Sequence, residues 1–293
     1  MLRKVSAILK LTRFEHGIMV SLAILVGALV AKGMKINEEE LLRIVNGMVI
    51  GLLVEMGIFG FNDYFNIEED KINSPDRPLV RGELSKEEAL IFSSTILGIG
   101  MLLPWCTSPV LPLGSTILLY LIITLDMAYN VVLKKYGPIG NFAVSLSTAA
   151  PFVYGALLIV RLDNVPLYLW IFFLIAFLAT FSREIVKDIR DVPGDSKAGL
   201  LTLPHIIGVK KCFTIAYCLM GSAILLSLIV IPLIKNKMVY LAVISITNLT
   251  LLYSLISLRK AKGWKDKKVL DRFRKISLIG MGLGIISFLA SSF

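Results

Sequence analysis

Apolar residues fall into nine runs with sparse charge, at 16–32, 45–61, 89–105, 109–128, 139–160, 165–182, 212–234, 238–258 and 276–292. Each is close to the roughly 20 residues that an α-helix needs to cross a hydrocarbon core of about 30 Å. The ten-residue alternation of a membrane barrel is absent, and helices satisfy their own backbone hydrogen bonds in lipid. The pattern predicts an all-α integral membrane bundle of nine transmembrane helices, with residues 1–293 forming one domain. Residues 2–13 mix basic side chains with Leu2, Val5, Ile8, Leu9 and Leu11 and read as a short interfacial helix of the mature chain, without the cleavage-site pattern of a signal peptide. Only a turn, Pro104 to Pro109, separates the third and fourth runs, which predicts an antiparallel hairpin.

Composition agrees. The chain is 56% hydrophobic and 18% charged, with a mean hydropathy of +0.78, too apolar for a water-soluble protein. The formal charge of +10 is mostly topological. With the N-terminus on one side, 25 of the 31 Lys and Arg fall on that side. Lys32, Lys35, Arg43, Arg161, Lys235 and Lys237 fall on the other. Positive charge marks the cytoplasmic side, so the N-terminus is expected inside and Phe293 outside. The basic run Arg259–Lys275 between two spans is expected to be an anchoring loop near anionic headgroups, not a nucleic-acid site. Cys106, Cys212 and Cys218 form neither a CxxC pair nor a disulfide framework. His16 and His205 lack metal-ligand spacing, and Trp105, Trp170 and Trp264 read as interface anchors. Glu55, inside the second run, needs a partner or a polar cavity, and Asp126 near the end of the fourth is a functional candidate.

Two segments on the basic side are rich in carboxylates and begin at the end of an apolar run. In the first, Asn62, Asp63, Asn66 and Asp70 share an arc of roughly 100° on a continued helix. In the second, Glu184, Asp188, Asp191 and Asp195 form a stripe about 60° wide, although Pro193-Gly194 is expected to end the helix before Asp195. One such cluster is commonly a solvated face; two, on the same side and both at span ends, point to chemistry. Stacked carboxylates repel, so a cation should offset them, and oxygen ligands without His or Cys suit Mg²⁺ with substrate phosphates. Lys71, Arg77, Lys187 and Arg190 among the acids fit a metal-bridged diphosphate. A diphosphate held at the rim of an apolar bundle implies an isoprenyl tail running inward, around an apolar chamber that excludes water from an allylic cation.

At these residues the chain resembles the UbiA-type intramembrane prenyltransferases. Asn62-Asp63, Asn66 and Asp70 match the NDxxDxxxD element, followed by the Asn73–Pro78 run. Glu184, Asp188, Asp191 and Asp195 match the second acidic element, and Tyr129–Lys134 with Gly140-Asn141 match a weaker third. Asn66 stands where the family usually has Asp, so the first site would lean on Asp63 and Asp70. The resemblance implies that Asn62, Asp63, Asn66, Asp70, Asp191 and Asp195 bind Mg²⁺-diphosphate, with Glu184 and Asp188 close behind. It also implies that Arg77, Lys187, Lys134 and Tyr129 contact phosphate or leaving group. Nine helices would surround the chamber, with a cytoplasmic polar cap built from 62–86 and 183–211.

The wording of the chain is most like the archaeal lipid branch, which transfers geranylgeranyl from its diphosphate to geranylgeranylglyceryl phosphate, forming the second ether bond. Arg13, Arg81, Lys135 and Arg183 are available to a phosphate-bearing acceptor, with Asn141 a further substrate contact. No acid can be singled out as base; the leaving diphosphate could take the proton. Aromatic quinone precursors such as 4-hydroxybenzoate are the alternative acceptors. A cation transporter is a remote alternative, since transporters place their acids near the membrane midplane. Partners are expected to be an isoprenyl diphosphate, a lipidic acceptor and membrane lipid, with no obligatory protein partner.

Overall fold

The computed structural model describes residues 2–292. Phe293, expected on the far side of the membrane, lies outside the described residues, as do the side chains of Leu2 and Arg3 in the expected interfacial helix. The described residues form helices and turns, with no strand among them. Nine helices have 19 residues or more: α2 (Phe14–Lys32), α3 (Glu38–Phe65), α5 (Lys86–Cys106), α6 (Leu113–Val131), α7 (Pro138–Leu157), α8 (Leu167–Lys197), α10 (Val209–Ile229), α11 (Lys237–Leu258) and α12 (Lys267–Ala290). Three short helices accompany them, α1 (Leu2–Leu11), α4 (Ile67–Asn73) and α9 (Leu203–Ile207).

Eight of the nine long helices are long and apolar enough to cross a membrane. The remaining one, α7, carries Asn141, Ser145, Ser147, Thr148 and Pro151, and twelve of its 20 residues are buried. Asn141 and Ser145 are buried and Ser147 half-buried among neighbouring helices, where small polar residues permit close packing and hydrogen bonds across helices. The chain is a multi-pass membrane protein.

Helices α2 and α7 lie side by side, with α3 against α2 and α8 against α7; α12 touches both α2 and α8. Outside these, α5 covers α3, α10 covers α8 and α11 covers α12. The starts of α3 and α5 are fixed by capping boxes, Asn37 with Glu40 and Ser85 with Glu88. Helix α1 buries Ala7 and Leu11 against Leu79, Leu84 and Ala89, and Lys4 pairs with Glu88 at 2.6 Å. The α2–α7 contact depends on glycine: a Cβ on Gly27 would lie 1.9 Å from the Phe152 carbonyl oxygen, and one on Gly155 1.9 Å from that of Ile24. Gly155→Ala must push backbone from backbone, with an expected cost of about 3 kcal/mol. A lowered thermal-unfolding midpoint of the detergent-solubilised protein checks this, and an unchanged midpoint contradicts it.

Four local expectations are revised. The helix after span two does not continue unbroken: it is interrupted at Asn66 (φ −99°, ψ 11°) before α4 resumes. Helix α8 does not stop at Pro193-Gly194 but runs to Lys197, so Asp195 is helical. Proline removes one helical hydrogen bond, and packing of α4 against α8 offsets that loss. Helices α5 and α6 are joined by a short turn, yet α5 lies mainly on α3 and α6 on α7; they meet near the turn, where Trp105 Nε1 donates to Tyr120 Oη at 2.9 Å. Finally, only the first part of the Arg259–Lys275 run is a loop, and from Lys267 it forms the first turns of α12.

Candidate active site

A chamber runs from the α3–α4 and α8 ends into the bundle, with roughly 2180 Å³ of space between atoms, part of it open to solvent. Its deeper lining is largely apolar, including Phe59, Val144, Phe152, Ile175, Met281 and Phe288. Its mouth is polar on two facing walls.

The first wall is α3–α4. Asn62, Asn66 and Asp70 stand at i, i+4 and i+8 and line the chamber with Glu69. Asn62 Nδ2 donates to Asn130 Oδ1 at 2.7 Å, tying α3 to α6. Lys134 Nζ donates to Asn66 Oδ1 at 2.8 Å and also pairs with Glu69. Burial pushes the Asp70 carboxyl up to about 6, against the opposing pull of Arg77. Asp63 does not join this wall. One residue beyond Asn62 it points about 100° away. It is 1% exposed and held by Arg13 (2.9 Å) and Arg77 (3.2 Å). Arg13 adopts a left-handed backbone (φ 45°, ψ 56°), an uncommon conformation outside glycine, in the turn between α1 and α2. Its guanidinium also lies 4.2 Å from the Phe59 ring centre.

The second wall is α8, where Glu184, Lys187, Asp188, Asp191 and Asp195 all line the chamber. Lys187 Nζ donates to Glu184 at 2.8 Å, and Asn141 Nδ2 donates to Asp188 Oδ2 at 2.8 Å. Arg190 fastens the two walls to each other and to α12. It donates to the Asn73 carbonyl (3.0 Å), to Ser74 Oγ (3.1 Å) and to Asp271 (3.2 Å), and its Nε lies 2.8 Å from Asp191. Asn73 Oδ1 accepts the Gly194 N–H at 3.1 Å, and its Nδ2 donates to Asp195 at 3.4 Å. A Cβ at Gly194 would lie 2.4 Å from Asn73 Nδ2, so glycine permits this approach.

Of the residues singled out from sequence, Asn62, Asn66, Asp70, Arg77, Tyr129, Lys134, Asn141, Arg183 and the four α8 acids therefore meet around one chamber, with Arg13 and Lys187. Four do not: Asp63 sits behind the wall, Arg81 is exposed and paired with Asp76 at 2.6 Å, Lys71 is exposed and paired with Glu68 at 2.8 Å, and Lys135 is exposed away from the chamber. Glu55 finds its polar cavity, for both it and Asp126 line the chamber, and Ser147 Oγ donates to Asp126 at 2.7 Å. His205 is engaged locally with Ser196 and Thr202. Sequence reasoning passed over Asn73, Asn130 and Arg274 as site residues, since their roles come from long-range packing; Arg190 was singled out for a diphosphate, but not as the group that fastens the two walls.

Among the described residues, no three His, Cys, Asp or Glu side chains converge tightly enough to hold a metal alone. The donor set still fits Mg²⁺. It is oxygen-only on two facing walls, with Asn62, Asn66 and Asp70 lining the chamber on one and Asp188, Asp191 and Asp195 on the other. Mg²⁺ takes one or two carboxylates together with substrate phosphates, not an all-protein cage.

A membrane bundle whose apolar chamber opens between two acid-bearing helix ends has the architecture of an intramembrane prenyltransferase. A model of the UbiA prenyltransferase family matches residues 20–279, and the chain belongs to that family; it is a prenyltransferase. It is 30% identical to digeranylgeranylglyceryl phosphate synthase of Archaeoglobus fulgidus over 99% of this chain and 97% of that one. It is 34% identical to the synthase of the same name from Methanothrix thermoacetophila, over 96% and 97% of the two chains. A solved structure described as digeranylgeranylglyceryl phosphate synthase in membranes matches with TM-score 0.70 and 28% identity, covering 99% of this chain and 98% of that one. A UbiA homologue from Archaeoglobus fulgidus bound to GPP and Mg²⁺ shares the fold, with TM-score 0.65 and 19% identity over 96% and 99% of the chains.

Proposed function

We propose that the protein transfers a geranylgeranyl group from geranylgeranyl diphosphate to the free hydroxyl of geranylgeranylglyceryl phosphate, with Mg²⁺ as cofactor, forming the second ether bond of an archaeal membrane lipid. The observation that carries this reading is the pairing of two oxygen-rich walls, each with a lysine, across the mouth of an apolar chamber. The names of the relatives support the acceptor.

Asn62, Asn66 and Asp70 on one wall and Asp188, Asp191 and Asp195 on the other would hold the metal, with Glu184 close by. When bound, Mg²⁺ would supply a Lewis acid that neutralises the leaving diphosphate. Lys134, Lys187 and Arg77 add positive charge where the leaving group gains negative charge, and Tyr129 lies on the wall between them. Asp63 positions Arg13 and Arg77. The prenyl tail runs along the apolar lining, which excludes water from the developing cation. The bond from C1 to diphosphate oxygen breaks, the acceptor oxygen bonds to C1, and the hydroxyl proton leaves with diphosphate. In this reading the cap, 62–86 and 183–211, and the N-terminus face the cytoplasm, and the C-terminus lies across the membrane.

Metal removal tests the reading. EDTA is expected to stop transfer and added Mg²⁺ to restore it; transfer that survives chelation contradicts the assignment. Stability gives a second signal. The folded Asp70 carboxyl titrates near 6, above its ordinary value, so stability is fully present below that ordinary value, falls as pH rises from it through about 6, and has lost the full amount only above that. A bound cation offsets the loss, so stabilisation by Mg²⁺ should be small near pH 5 and larger above pH 7. A thermal shift independent of pH contradicts this.

A further inference from the structure

Charge pairing around the chamber leaves two arginines over. Arg13 and Arg77 share Asp63, Lys134 pairs with Glu69, Lys187 with Glu184, and Arg190 with Asp191 and Asp271. Among the described residues, neither Arg183 nor Arg274 has an acidic partner within 4.0 Å, although both line the chamber. Arg183 bonds only neutral acceptors, Ser277 Oγ at 3.1 Å and the Arg274 carbonyl at 3.3 Å. The Arg274 guanidinium makes no hydrogen bond among the described residues. The acid next to Arg183, Glu184, is engaged by Lys187 at 2.8 Å. Across from them on α2, His16 lines the same space, with its Nδ1 buried and unbonded.

Two guanidinium groups brought together inside a helical bundle without a directly ion-paired carboxylate repel each other and forfeit hydration, a cost that a bound anion offsets. Their place separates them from the metal-binding cap. Arg183 lies eight residues before Asp191, about 12 Å along the helix and deeper in the bundle. Arg274 lies one turn below Asp271, whose partner Arg190 closes the cap.

We propose that Arg183 and Arg274, with His16 beside them, form a second anion subsite that takes the phosphate of the acceptor lipid. This rests on the proposed function, which requires an acceptor carrying both a phosphate and a hydroxyl; it adds where that phosphate is held. Arginine suits the role because its planar fork binds phosphate through paired hydrogen bonds. Held there, the phosphate leaves the glycerol hydroxyl facing C1 of the prenyl diphosphate at the cap.

The test uses the full-length protein in detergent, saturated with Mg²⁺ and the unreactive thiolodiphosphate analogue of the prenyl donor, and titrated calorimetrically with glycerol 1-phosphate. Wild type is expected to bind the probe saturably, and Arg274→Gln and Arg183→Gln to weaken binding at least about tenfold. Arg274→Lys should retain most of it. Affinity of Arg274→Gln for the thiolodiphosphate should change less than twofold, which also reports that the variant is folded. In turnover, the KM for a prenylglyceryl phosphate should rise about tenfold while that for the prenyl diphosphate stays within twofold. The proposal is overturned if wild type binds no glycerol phosphate, if Arg274→Gln binds it as wild type does, or if thiolodiphosphate affinity falls equally. Arginine-dependent glycerol phosphate binding in a protein that fails to prenylate a prenylglyceryl phosphate would uphold the subsite and remove the acceptor reading.

Discussion

Asp191→Asn is expected to lower prenyl transfer by about a thousandfold while the protein still inserts and folds. Asp191 lines the chamber mouth on the same wall as Asp188 and Asp195, with its Oδ1 2.8 Å from Arg190 Nε. The amide keeps shape and volume, so packing is undisturbed. What is lost is one negative charge where metal and diphosphate must be held, and the stabilisation that a positioned metal lends a leaving group amounts to several kcal/mol. Arg190 keeps its bonds to Asn73, Ser74 and Asp271, so the thermal midpoint should fall by little. A product assay with an unfolding curve checks both parts. Near-normal turnover would take Asp191 out of the site, and gross unfolding would make it a structural residue.

The second large effect concerns Arg190, whose side chain is 8% exposed. Arg190→Met would remove the fork that joins α4, α8 and α12 and leave Asp191 without its neighbouring charge. Removing one member of a buried ionic network costs about 3–5 kcal/mol; the low end applies here, because Asp271 is 47% exposed. Transfer should fall by roughly a hundredfold as the two walls lose their register. Arg190→Lys should rescue little, since one ammonium cannot span three acceptors in the geometry of a fork. The thermal midpoint and the transfer rate of both variants check this, and a lysine variant equal to wild type contradicts it.

The long helices were legible because lipid imposes a strong rule, uninterrupted apolar length, and the runs met it. Where the reading slipped, tertiary contact outweighed local propensity. Pro193-Gly194 is a helix-ending dipeptide, but Asn73 takes up the Gly194 N–H and α4 packs along the helix. The basic run 259–275 carries no apolar signal at its end, yet its second half begins α12 and delivers Asp271 and Arg274 to the site. The acidic spacing identified both walls, while the arc that included Asp63 was too generous: a 100° arc spans more of the helix than one chamber wall uses. Arg274 had no local mark, since its significance is the absence of a partner that only the assembled bundle reveals.

The central claim is tested most directly by giving the purified protein Mg²⁺ and geranylgeranyl diphosphate, with geranylgeranylglyceryl phosphate and 4-hydroxybenzoate together, and identifying the products by mass. The expected result is digeranylgeranylglyceryl phosphate, with one diphosphate released for each ether bond formed. Product from the aromatic acid alone would contradict it.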